Sequence, residues 1–151
     1  MLDLGRKYNL VMPATAITAA KDVMRISAGS AVVLAIIAVK MTQEIVEVSE
    51  TLPLLVQRCS TDGTGTSGTA EKTMPGDPTF AGTFVYNLSS DTTLSGGPFH
   101  RDGQNVLNGW DFNFESNPLV LAPSGRAVVR LPTAPAASLT FSLVVTVVEI
   151  G

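Results

Sequence analysis

Apolar side chains recur at every second position along much of this chain, most clearly from Ser138 to Ile150. There Leu139, Phe141, Leu143, Val145 and Val147 share one face of an extended strand, and Thr140, Ser142, Val144, Thr146 and Val148 share the other. The first set is a core face. The second mixes hydroxyls with Val144 and Val148, a surface that suits a neighbouring sheet or subunit better than water alone.

Other strand signals come earlier. Ala16 to Ala28 contains Val23, Met24 and Ile26, and after the Gly29-Ser30 break the run Ala31 to Val39 predicts a doubly buried strand, with a short helix as the alternative. Gln43 to Val48 predicts a short strand or turn. Leu52 to Ser60 predicts another strand, whose Pro53 belongs at a strand end or an edge. Thr61 to Pro78 is dense in Gly, Thr and Pro and predicts an exposed loop. Short strands follow at Phe84 to Leu88, Phe99 to Arg101, Gly109 to Phe114, Leu119 to Leu121 and Gly125 to Leu131. Roughly eight or nine strands without intervening helices predict an all-β fold, an antiparallel β-sandwich or barrel. Residues 1 to 15, with Leu2, Leu4, Tyr8 and Leu10, form either an N-terminal arm that orders on a neighbour or an edge strand, and 16 to 151 form the sandwich domain.

Composition sharpens this picture. A chain of 151 residues fits one domain, and 45% hydrophobic against 15% charged content leans towards an assembly subunit, because an isolated small protein needs a more charged surface. The net charge is −3 with Lys and Arg scattered singly, which argues against direct nucleic-acid binding. No membrane partner is expected, since the longest apolar run, Ala31 to Val39, falls far short of the roughly 20 residues a spanning helix needs. Met1 to Asn9 has no signal-peptide pattern. Cys59 is the sole cysteine, so an intrachain disulfide is impossible.

Candidate chemistry is sparse. Cys59 and His100 are the only possible thiol nucleophile and imidazole base, and their local sequence matches no nucleophile motif. The Gly-rich stretch Asp62 to Thr69 lacks the Gly-Lys-Ser/Thr ending of a phosphate loop, and the scattered aspartates lack calcium-loop spacing. Glu44, Glu47 and Glu50 read as a solvated stretch. A single histidine argues against a cupin-type metalloenzyme. No catalytic residue, metal or cofactor is therefore expected. Trp110, Phe112 and Phe114 alternate on one strand face and predict a core anchor.

Several segments carry a resemblance when taken in order: AAKDVMRI at 19 to 26, the strand around Val39 to Gln43, RCSTDGTGTSGTA at 58 to 70, GDP at 76 to 78, NVLNGW at 105 to 110, and the whole stretch 123 to 151. With them the chain resembles small β-sandwich virion proteins of tailed bacteriophages and prophages, encoded near capsid genes. It departs from that pattern at 111 to 117, where DFNFESN stands in place of a more proline-rich segment. The resemblance implies a single-domain, jelly-roll-like antiparallel sandwich. It also implies a non-enzymatic capsid decoration, or cement, protein, made in the host cytoplasm and placed on the capsid exterior of the virion. Its expected partners are copies of itself in a homotrimer and the major capsid protein. The expected interface residues are Leu2, Leu4, Tyr8, Leu10, Val144 and Val148. The alternative is a tail- or fibre-associated host-binding module that uses loops 61 to 78 and 89 to 104.

Overall fold

β-Branched and aromatic residues crowd a helix but fit a pleated surface, so the apolar runs of this chain pair laterally as strands. The computed structural model describes residues 5–45 and 49–151, and every regular element among them is a strand. In chain order these are β1 (Arg6–Ile17), β2 (Lys21–Ser27), β3 (Val33–Gln43), β4 (Thr51–Cys59), β5 (Thr64–Ser67), β6 (Glu71–Lys72), β7 (Thr83–Ser90), β8 (His100–Asn105), β9 (Trp110–Asn113), β10 (Leu119–Leu121), β11 (Arg126–Leu131) and β12 (Leu139–Ile150).

They form two antiparallel sheets. The first runs β10-β3-β12-β1-β6, with β9 also on β3, and the second runs β5-β7-β2-β11-β4-β8. β9 and β10 are two stretches of one edge. Met41 to Ala38 pair with Trp110 to Asn113, and Ile36 to Leu34 pair with Leu119 to Leu121. Between them Ile37 is the extra residue of an irregularity against β12, and its carbonyl accepts the Phe114 N–H at 2.7 Å.

The pairings nest. β4 pairs with β8, β3 with β9 and β10, β2 with β11, and β1 with β12, as in one long hairpin ribbon. Rolling that ribbon brings β12 onto β3 and β11 onto β4, which is the jelly-roll arrangement. The antiparallel, jelly-roll-like sandwich expected from the sequence is the fold of this single compact domain. Residues 60 to 99, between β4 and β8, form an insertion. It adds β7 and β5 beyond β2 in the second sheet and β6 beside β1 in the first.

Between the sheets lies one large apolar core. Its largest fully buried side chains include Trp110, Tyr8, Phe141, Leu10 and Met12. Trp110, Phe112 and Phe114 all point into it, and the Trp110 indole N–H donates to the Asp102 carbonyl at 3.2 Å. The Gly109 φ of 69° suits the tight entry to β9, because a Cβ there would lie 2.6 Å from the Met41 carbonyl oxygen.

Three sequence expectations change in detail. The stretch 61 to 78 is not loop throughout but holds the exposed strands β5 and β6, which Gly and Thr allow because edge strands need little burial. The signal at Ala16 to Ala28 divides between β1 and β2, with the chain turning at 18 to 20. β3 continues through Gln43, while the end of the expected segment Gln43 to Val48 lies outside the described residues. Strands also outnumber the expected eight or nine, because short edge segments carry almost no apolar periodicity.

Candidate functional site

The two sandwich faces that point away from the core are treated differently by the chain. Across the second sheet, the register places Arg25 beside Val128 and Gln57, Asp22 beside Arg130 and Leu55, and Ser27 beside Arg126 and Cys59. Asp22 reaches this outer face because Val23 is the extra residue of a bulge between Met24 and Asp22, which reverses the alternation. The face is not left to solvent. Asp22 is 0% exposed, Val128 0% and Gln57 5%, because the 91 to 97 segment of the insertion lies over them.

Polar groups fasten that segment down. The Asp22 carboxylate accepts hydrogen bonds from the Thr92 N–H (2.6 Å) and hydroxyl (2.7 Å) and pairs with the Arg130 Nε. Arg130 also donates through Nη2 to the Thr92 carbonyl at 2.9 Å, and the Asp91 carboxylate accepts the Asp22 N–H at 2.8 Å. The hydrogen bond to Asp22 raises the Arg130 pKa above its ordinary value, against the opposing effect of burial. Gln57 donates to the Gly96 carbonyl at 2.6 Å, and the Ser60 and Ser95 N–H groups donate to the Thr93 and Arg58 carbonyls respectively. This network was not anticipated from the sequence. Its one local signal is the presence of Asp22, Arg25 and Arg130 inside otherwise apolar strands.

The outer face of the first sheet stays open over much of its area. Rows across it read Val11, Val144, Lys40, Asp111 and Asn9, Thr146, Ala38, Asn113. Val11 is 38% exposed, Val144 and Ala38 are half-buried, and Lys40, Asp111 and Asn113 are exposed. Small hydroxyls and amides tie the strands together here, with Thr146 donating to Asn9 Oδ1 at 2.9 Å and Thr42 and Ser142 3.2 Å apart. The result is a broad surface carrying few charges.

Of the six residues expected at an interface, the four that are described lie apart. Val144 lies on this open face. Val148, on the same face of β12, is 0% exposed within a small apolar cluster with Ala35, Ile37 and Ile150. The chain entering β1 passes close over it, since a Cβ on Gly5 would stand 2.3 Å from Val148 Cγ1. Tyr8 and Leu10 are 0% exposed in the main core. The Tyr8 hydroxyl donates to the Pro78 carbonyl at 2.9 Å, its ring meets Phe80 at 5.1 Å, and burial raises its pKa. Leu2 and Leu4 lie outside the described residues. The described part of the 1 to 15 segment belongs to β1, which is bonded to β12 along its length and to β6 at Tyr8 and Asn9.

Cys59 and His100 do not meet as nucleophile and base. His100 pairs with Val56, three residues from Cys59, which is about 10 Å along the strand and on the opposite face of the sheet. The His100 ring packs instead on Phe112 at 4.3 Å and Phe114 at 5.3 Å. Burial pushes the Cys59 thiol pKa up, away from the thiolate. Among the described residues no group of three or more His, Cys, Asp or Glu side chains could hold a metal ion.

A concave site lies at the insertion. A cleft of about 380 Å³ lies between the 67 to 70 turn and the 79 to 85 strand entry, with Arg25, Phe80 and Phe84 among its walls. Together the fold and these surfaces define a jelly-roll domain with a self-covered face, an open face and a cleft at the insertion. Compared with known protein families, curated proteins and solved structures, the chain matches none.

Proposed function

We propose that this protein is a bacteriophage capsid decoration protein, which binds the outside of the head and stabilises the lattice of the major capsid protein. The observation that supports this reading is the asymmetry of the sandwich. The insertion covers one outer face through a buried polar network, whereas the face built on Val11, Asn9, Val144 and Thr146 is left open, with Lys40 and Asp111 the exposed charges at the far end of its first row. A cement protein works through buried contact area and shape, which an open sheet face carrying Val11 and Val144 offers. Homotrimer formation belongs to the same proposal, with this face or the free half of β1 as the contact.

Co-sedimentation with empty heads, followed by cryo-electron microscopy of the particles, tests it. Density on the head surface, and loss of co-sedimentation in a folded Val11→Lys/Val144→Lys variant, are the expected results. Protein absent from heads would overturn the reading. A second reading, a tail- or fibre-associated host-binding module, draws on the loop from 73 to 78, where Met74 is 65% exposed. Density on the tail in the same micrographs selects it.

A further inference from the structure

Arg25 is an unusual side chain for this surface. It is only 7% exposed, yet the ion pairs among the described residues are Arg6–Glu149, Arg126–Asp62 and Arg130–Asp22, none of which includes it. Its nearest source of negative charge is already engaged, because both Asp62 oxygens face Arg126 at 2.5 and 3.5 Å. What holds Arg25 is neutral. Nε donates to the Asp62 backbone carbonyl at 3.2 Å, and Nη1 donates to the Ser27 and Thr83 hydroxyls. Nη2 donates to no protein acceptor among the described residues. It is also not one of the buried atoms left without a partner, which among the described residues are both on Gln43, so it keeps some access to solvent, and Arg25 is one of the residues that line the cleft.

A buried guanidinium that shares the Asp62 carboxylate with Arg126, and that keeps a donor edge without a protein acceptor, is favoured by an added anion. The rest of the cleft limits which anion fits. No lysine and no second arginine lines it, so a single negative charge is matched and a phosphate dianion is not. The partly exposed Phe80 ring supplies apolar wall, whereas Phe84, paired with Ile26 on the core face and 2% exposed, lies beneath. Gly68 lies directly on Phe84, where a Cβ would stand 2.3 Å from the ring, and this keeps that side thin. The Thr83 hydroxyl accepts from Arg25 and retains its own hydrogen to donate onward.

We propose that this cleft binds a small organic carboxylate with an apolar body, its carboxylate on Arg25 Nη2 and the Thr83 hydroxyl and its body against Phe80. The site is separate from the open face of the first sheet. It therefore stands or falls independently of where the protein sits on a virion.

The test is a ¹H–¹⁵N NMR titration of the full chain with 3-phenylpropionate, using 3-phenylpropan-1-ol and inorganic phosphate as comparison probes. Saturable shifts at the Gly68, Gly82 and Thr83 amides and at the Arg25 side-chain N–H are expected with the carboxylate. The alcohol should bind about tenfold or more weakly, as loss of a charge-assisted hydrogen bond requires. Arg25→Gln should bring carboxylate affinity down to that of the alcohol. If that variant fails to fold, the carboxylate-to-alcohol ratio on the unmodified protein decides the matter. Equal binding of acid and alcohol, tighter binding of phosphate, or no shifts at these amides would each overturn the proposal.

Discussion

Replacing Asp22 by alanine should unfasten the insertion and cost about 3–5 kcal/mol of stability, the range for removing one partner of a buried ion pair. The magnitude follows from what is left behind. Asp22 is 0% exposed and the Arg130 side chain 18%, so the guanidinium keeps only its bond to the Thr92 carbonyl. The buried Thr92 N–H and hydroxyl lose their shared acceptor at the same time. Thr92→Val is the graded control. It removes one hydrogen bond to a charged group and should cost about 1.5–3 kcal/mol. Urea denaturation followed by fluorescence of Trp110 gives both values, and hydrogen exchange at 91 to 97 should rise more in Asp22→Ala than anywhere in β12. A total stability of about 5–15 kcal/mol for a domain of this size leaves Asp22→Ala measurable but weak. An Asp22→Ala protein within about 1 kcal/mol of the parent, with unchanged exchange at 91 to 97, would refute the claim that this network holds the insertion down.

Three further outcomes follow from named contacts. Val148→Thr should destabilise folding by about 1–3 kcal/mol because it buries a hydroxyl in an apolar cluster, whereas Val144→Thr should fold within about 0.5 kcal/mol of the parent; equal melting temperatures for the two would contradict their different burial. Gly109→Ala should cost about 1–3 kcal/mol from its positive φ and the close Met41 carbonyl, and thermal denaturation reads it directly. The Arg126 hydrogen bond holds the Asp62 pKa below the ordinary carboxylate value. That contribution is present above the unfolded pKa and is lost as pH falls through the folded one, so Asp62→Asn should flatten part of the acid limb of the stability profile. Asp62 is mostly exposed, so the effect should stay under about 1 kcal/mol, and a larger change would point to a role beyond this pair.

The two valines on β12 show how far the amino-acid pattern reaches. Alternation alone places Val144 and Val148 on one strand face and Leu139, Phe141, Leu143, Val145 and Val147 on the other, because the period of two is a local property of extended backbone. It likewise places Trp110, Phe112 and Phe114 together, and together these patterns predict a sandwich. Whether a face is then covered depends on segments far away in the chain. Val148 is buried beside Gly5 while Val144 stays half-open, a distinction no local pattern encodes. The same holds for Asp22 and Arg130, 108 residues apart, and for the bulge at Val23 that turns Asp22 outward. Tyr8 and Leu10 read equally well as an arm or a strand until β12 is seen pairing beside them. The chain alone determined that it would form strands with one greasy side. Only the rolled ribbon decided which strands became neighbours, which outer face the insertion would close, and that a buried arginine sharing its carboxylate with Arg126 would line a cleft, because those outcomes rest on contacts between residues that sequence spacing keeps apart.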